Sequence, residues 1–481
     1  MSGNGLPPLS RTTLTGLAPE QRPVVDAAQL RTRVVHFGLG AFHRAHQAVY
    51  TENAAALSGE PWGITAVAPR SAETVRALRA QDCLYSLSER RPEGPRTRVV
   101  GSVVDALAMG PDAKAVDALL ADPEVTVVTL TVTEKGYQRL ASTGGLDHAA
   151  VAADLVADPA GPLTTVIGRL AAGLAARMRA GAAPITVVSC DNMAGNGAVL
   201  SRIVREFVGA SDWPDRDRIL DRIAETVAFP ATVVDRIVPA TGAADRAVAA
   251  TALGAHDELA VTAEPYRQWI LEDSFAAPRP PWELDGALFV RDVTPYQLTK
   301  LRLLNGSHSA LAYLGLAAGH TTIAGTMAAD WGERLIRALC AEVAPTLPAG
   351  GPDPAAYGDD LVVRFRNPAM RHALRQIGSD GSLKITERWL PALRTLRATG
   401  TAAPVLELAL AAWVFGTRPP SAVTDPAADA LAACWDGSRR PVETVRALLR
   451  AVDAQDLADD TTLTTAVTER LPALQAGRIE I

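Results

Sequence analysis

Arg33-Val34-Val35-His36-Phe37-Gly38-Leu39-Gly40-Ala41-Phe42-His43-Arg44 begins as a short apolar run, ends that run on two glycines and continues with helical character. A strand that stops at glycines just before a helix lets the backbone come close to a pyrophosphate at the helix start. The third position of the GxGxxG pattern is His43 rather than glycine, so the fingerprint is incomplete. A plain strand–turn–helix fits the same letters. Its place in the first strand–helix unit of the chain is where a dinucleotide fold carries this loop.

The segments that follow keep the alternation. WGITAVAPR (62–70) reads as the next strand and TVRALRAQ as a helix. Residues 97–105 and 125–133 read as strands flanking a helix at 113–121, residues 163–180 are helical, and PITVVSC (184–190) is another buried strand. Strands alternating with helices predict an α/β fold with a Rossmann-type, doubly wound parallel sheet. After APRPPW (277–282) the β signal fades, and from about 295 the chain is mainly helical. Two domains are expected: 1–290 for the nucleotide-binding part and 291–481 for a mainly α-helical part. Residues 1–30 read as a polar leader.

Bulk properties narrow the class. The chain has 481 residues, 48% hydrophobic and 21% charged, with a net charge of −6. That balance gives no reason to expect nucleic acid or an anionic membrane as partner. No apolar run is long enough to span a bilayer, and the N-terminus lacks a signal peptide, so the expectation is a cytoplasmic protein. The oligomeric state is not set by the sequence, and a monomer is compatible with it. Cys83, Cys190, Cys340 and Cys434 form no CxxC pair, and no ligand set for a metal is seen. Of 47 basic residues only Lys114, Lys135, Lys300 and Lys384 are lysines. Where a chain defaults to arginine, a retained lysine marks a place where loss of a proton is useful, because arginine cannot lose one near neutral pH.

Four clusters carry candidate chemistry. The glycine loop offers Gly38, Gly40, Ala41, Phe42, His43 and Arg44 to a cofactor. Beyond the second strand no ribose-reading acid is obvious: the letters are Ala68-Pro69-Arg70-Ser71, with Glu73 just after. Arg70 is open to two readings, a partner for a 2′-phosphate or a solvated side chain. Thr131-Val132-Thr133-Glu134-Lys135-Gly136-Tyr137 follows a buried strand, at the carboxyl end where ligands of open α/β sheets sit, so Thr131, Glu134 and Lys135 are expected to line the cofactor. Ser189 to Gly197, with Asn192 and Asn196, follows another such strand; its amides can donate to a developing alkoxide or simply form an Asx-rich turn. Lys300-Leu301-Arg302-Leu303-Leu304-Asn305-Gly306-Ser307-His308 places Lys300, Asn305 and His308 within one broad polar arc of a helix backed by leucines. A lysine desolvated there would have a lowered pKa and serve as general base.

GLGAFHRAHQAVY, TVTEKGY, SCDNMAGNG, FPATVVDRIVP, EPYRQWILED and KLRLLNGSHSALAYLG, in this order between about 33 and 390, resemble the signatures of the mannitol dehydrogenase family, the polyol-specific long-chain dehydrogenases. The resemblance implies an NAD-dependent, metal-independent oxidoreductase, with NADP as a possible alternative. Its substrate would be a small polyol, keto-sugar or hexuronate. By resemblance Lys300 is the general base, Asn196 and Asn305 hold the oxyanion, and His308 orients a substrate hydroxyl. Asp235 and Lys384 would contact the substrate, and Asn192 the cofactor. Gln376 stands where mannitol-acting members often place an arginine, and Arg371 and Arg375 are candidates for a substrate carboxylate or else solvated helix residues.

Two other readings stay open at this point. Tyr296-Gln297-Leu298-Thr299-Lys300 spells the YxxxK of short-chain dehydrogenases, in which the tyrosine is the base. A nucleotide-sensing module that has lost its chemistry is the non-enzyme alternative.

Overall fold

Alternate residues of β1 (Arg31–Phe37) go to opposite faces of a sheet: Val34 joins one apolar cluster, Val35 and Phe37 the other. A strand buried on both faces belongs in the middle of a parallel sheet. There β1 pairs with β2 (Trp62–Ala68) on one side and β6 (Val127–Leu130) on the other, Phe37 lying beside both Val67 and Leu130. The computed structural model describes residues 5–481 apart from positions 141, 182, 422, 436 and 438. The chain divides into two units, Met1–Val293 and Thr294–Ile481.

Twelve strands occur among the described residues, all in the first unit. Besides β1, β2 and β6 they are β3 (Tyr85–Arg91), β4 (Gly94–Val100), β5 (Val103–Ala108), β7 (Ile185–Ser189), β8 (Val227–Ala228), β9 (Thr232–Asp235), β10 (Val261–Ala263), β11 (Gln268–Glu272) and β12 (Leu288–Val290). The main sheet runs β5-β2-β1-β6-β7-β8, entirely parallel. Chain progress reverses between β1 and β6, which is where a doubly wound sheet opens a crevice beyond its carboxyl ends. One face is covered by the helices Ala113–Ala121 and Val166–Arg179, the other by Gln47–Ser58 with Trp269 and Trp282. Each of the larger apolar side chains buried in these layers stabilises the fold by roughly 1.5–3 kcal/mol.

Two departures from the sequence expectation are local. The strand expected over 97–105 is two strands, β4 and β5, separated at Gly101-Ser102. β4 turns back on β3 as an antiparallel hairpin through Pro92-Glu93-Gly94, with Gly94 at φ +129°. The segment before residue 290 also holds a small sheet, β12-β11-β9, whose short strands carry too little periodicity to be seen.

The regular elements among the described residues of the second unit are all helices. Its centre is the helix Pro404–Gly416, PVLELALAAWVFG, apolar on nearly every side and therefore a core element. It packs against Gly306–Ala317 and Thr461–Gln475. Its one acid, Glu407, is held by Arg470 at 3.1 Å and Arg397 at 3.6 Å.

Candidate functional site

At the carboxyl ends of β1, β2 and β6 lies a cleft of about 280 Å³. Gly38, Leu39 and Gly40 form one wall, Ala68 to Ser71 a second, and Thr131, Val132, Thr133 and Gly136 a third. Gly38 sits at φ +116°, and a Cβ there would stand 2.1 Å from the Thr131 carbonyl oxygen. Only glycine lets the loop cross this close to the end of β6.

The loop is fastened from beneath by His36. Its Nδ1 lies 2.6 Å from Thr129 Oγ1, and its Nε2 lies 2.8 Å from Thr131 Oγ1 and 3.0 Å from the Gly38 carbonyl. The His43 ring stacks on His36 with centroids 3.4 Å apart. Burial lowers the His36 pKa to about 3 and holds His43 well below the usual imidazole range, the latter aided by the neighbouring His36 and Arg44. Both rings are therefore neutral supports.

Several residues expected on the cofactor are not among the lining of this cleft. The helix starting at Ala41 lasts only to Ala45, and His46 breaks it. That break turns His43 and Arg44 inward. His43 faces His36, and the Arg44 guanidinium donates to the Leu259 carbonyl and stacks over Tyr85, whose hydroxyl donates to the Arg44 carbonyl. Ala41 and Phe42 pack half-buried against the core, Phe42 stacked on His46. Glu134 and Lys135 stand exposed on the turn Glu134–Tyr137, outside the cleft wall, and Asn192 is likewise exposed. Thr131 does line the cleft.

Asp191, unassigned by its motif, positions the third wall. Its carboxylate accepts the N–H groups of Val132 and Thr133 at 3.1 and 2.8 Å and the Tyr137 hydroxyl at 2.8 Å. Burial pushes its pKa up, and these donors pull it back. An acid directly after a buried strand was the available signal.

Asn196 is bonded within the first unit. Its Nδ2 donates to the Asp191 carbonyl at 3.0 Å and the Thr232 carbonyl at 3.1 Å, and its Oδ1 accepts the Thr232 N–H at 2.9 Å. Both amide hydrogens are engaged in this geometry. Asn196 ties the end of β7 to β9. Gly197 completes the contact, since a Cβ there would meet the Phe229 carbonyl at 2.3 Å. Asp235 ends β9 and is buried.

In the second unit, Lys300–Asn305 is a single π-helical turn set between the helices Thr294–Thr299 and Gly306–Ala317. The expectation of one continuous α-helix is therefore corrected. On an α-helix residues five apart are offset by about 140°, whereas the i→i+5 bonding of a π-turn draws them toward one face. Lys300 and Asn305 are such a pair. Lys300 is 9% exposed. His308 stacks on Phe365 at 4.3 Å, and its buried Nε2 has no hydrogen-bond partner among the described residues. Burial, then His372, Arg364, Arg388 and Lys384, hold its pKa well below the usual range.

Lys384 donates to the carbonyls of Ile377 and Ser379 at 3.1 and 2.5 Å, closing the helix Leu374–Gly378 rather than presenting a free amine. Arg371 and Arg375 are exposed, as is Gln376. Tyr296 lies in the helix Thr294–Thr299 of the second unit, whereas a short-chain dehydrogenase carries its YxxxK within the nucleotide-binding domain.

Comparison with known proteins agrees with this architecture. The mannitol dehydrogenase Rossmann domain model matches residues 32–284 and the mannitol dehydrogenase C-terminal domain model residues 292–475. The D-mannonate oxidoreductase of Escherichia coli is 39% identical over 83% of this chain and 83% of its own length. A substrate-free D-sorbitol dehydrogenase crystal structure superposes with a TM-score of 0.86 at 30% identity, covering 98% of this chain and 100% of that one. Mannitol 2-dehydrogenase from Pseudomonas fluorescens, solved as a ternary complex with NAD and D-mannitol, gives 0.79 at 34% identity over 97% and 96%. On both of its units the chain belongs to the mannitol dehydrogenase family of oxidoreductases.

Proposed function

We propose that the protein is an NAD-dependent dehydrogenase that interconverts a polyol or aldonate with its 2-keto sugar or hexuronate, with Lys300 as general base. The observation that carries this reading is the π-turn that buries Lys300 and brings Asn305 toward the same face. Single π-turns inside helices cluster at functional sites.

The glycine loop fits a dinucleotide: the cleft has no Cβ at Gly38 or Gly40, and it is walled by the strand ends of a Rossmann-type sheet. Gly38, Gly40, Thr131 and Thr133 would hold it. Among the described residues that line the cleft none is acidic, and Arg70 is one of them, which admits NADP beside NAD. When bound, the nicotinamide supplies the acceptor or donor of hydride.

The chain's own groups do the rest. The Lys300 amine takes the proton of the reacting hydroxyl and returns it in the reverse direction. The Asn305 amide, which has no side-chain partner among the described residues, donates to the oxygen as negative charge develops. The unpartnered Nε2 of His308 orients a neighbouring hydroxyl. Lys300→Ala assayed by reduced-nicotinamide absorbance, with fructose and fructuronate as substrates, tests the reading: the wild type turns over at least one of them and the variant neither. Equal activity of the variant refutes the base assignment.

A further inference from the structure

Arg388 is a guanidinium without an acid. Its Nη1 donates to the Asn305 carbonyl at 3.2 Å and to Ser309 Oγ at 2.8 Å, two residues that bracket His308 in sequence. Among the described residues no carboxylate pairs with it. Burial lowers its pKa to about 10. Lys384 lies one turn earlier on the same helix, Gly381–Arg388, and Arg364 precedes the Phe365 that stacks on His308. His372 meets His308 edge-on at 5.9 Å. The four charged or titratable neighbours that act on His308 are thus Arg364, His372, Lys384 and Arg388, none of them an acid. The acids close to this helix are Asp380, 4.0 Å from Lys384, and Glu387, both exposed, and Asp425, which is taken up by Ser382.

Even a half-buried arginine is ordinarily matched by an acid, because an unpaired charge drawn away from water is costly. Here the chain pairs no acid with the guanidinium, which is bonded on either side of a histidine whose Nε2 has no partner among the described residues. A polyol would bring only neutral hydroxyls to such a place, whereas a carboxylate matches a guanidinium edge with two parallel hydrogen bonds. We propose that Arg388, bonded to the residues that bracket His308, receives the carboxylate of a sugar-acid substrate. The inference rests on the function proposed above and selects the aldonate–hexuronate pair over the neutral polyol–ketose pair. It moves the carboxylate partner away from the exposed Arg371 and Arg375.

The test compares fructuronate with fructose as substrates for wild type, Arg388→Ala and Arg388→Lys. Expected is a wild type that prefers fructuronate. In Arg388→Ala the ratio of kcat/KM for fructuronate to that for fructose falls by about tenfold or more, chiefly through KM, and Arg388→Lys recovers part of it. A purely structural arginine would lower both substrates alike, and that outcome overturns the proposal. Turnover of fructose without fructuronate overturns it while leaving the dehydrogenase reading intact. Turnover of neither removes both. Because Arg388→Ala can fail to fold, the unmodified protein with NAD is also melted with mannonate and with mannitol. A larger Tm rise with mannonate supports the carboxylate site, and an equal or larger rise with mannitol refutes it.

Discussion

The side chain of Asn196 and the backbone of Thr232 form a closed pair: Oδ1 accepts the Thr232 N–H at 2.9 Å and Nδ2 returns a bond to the Thr232 carbonyl at 3.1 Å. An asparagine used this way acts on stability before it acts on chemistry. Asn196→Ala strands a buried N–H and two buried carbonyls, each costing about 1–3 kcal/mol. Its urea unfolding midpoint should therefore drop sharply. Asn305→Ala should leave that midpoint almost unchanged while lowering kcat by about 10²–10³, the loss seen when one oxyanion donor goes. If the two variants exchanged these behaviours, the roles assigned to the two amides would be reversed.

Lys300 tests the base. Lys300→Ala should lower kcat by about 10²–10⁴, the usual worth of a positioned proton acceptor. Lys300→Arg should be no better, because arginine keeps its proton at any working pH. Circular dichroism and melting of both variants should match the wild type within a few degrees. An active Lys300→Arg would show that positive charge alone is what the site needs.

Gly38→Ala should damage the cofactor cleft selectively. The added methyl meets the Thr131 carbonyl, and the backbone sits at φ +116°, so the loop must shift or stay strained at about 1–3 kcal/mol. Dinucleotide binding, followed by quenching of tryptophan fluorescence, should weaken by about tenfold or more. Unchanged affinity would mean that the loop carries no pyrophosphate.

Legibility in the sequence tracked how local each feature is. β1 and its glycines could be read because an apolar run and a glycine pair are contiguous. The two-unit division followed from the loss of strand pattern after APRPPW. What the letters of Ala41 to Arg44 do not say is which way each side chain faces, since that depends on a helix breaking at His46. Lys300 to His308 was legible as a polar cluster, but the π-turn within it was not, because no proline or glycine in Lys300–Asn305 marks it. Arg388 reaches Asn305 and Ser309 from about eighty positions away, and nothing near Arg388 in the chain signals that contact.

Buried neutral histidines make the fold sensitive to acid. His36 has a pKa of about 3 in the folded protein against an ordinary 6.5, because burial disfavours the charged ring. The folded-state value is the lower one, so the unfolded chain binds a proton first as pH falls. Stability from His36 is fully present above about 6.5, where both states are neutral. It declines from there down to about 3, by up to ~1.4 kcal/mol per pH unit for one such group. His43 and His308 are shifted the same way by burial and add to the slope. Urea midpoints measured from pH 7.5 to pH 5 should therefore fall steeply below about pH 6.5. His36→Gln should lower stability at pH 7.5, where the wild-type ring is a satisfied neutral partner of Thr129 and Thr131, and should flatten the slope below pH 6.5. A variant with the wild-type slope would show that His36 takes up its proton without unfolding, and that the loop over Gly38 accommodates the charge.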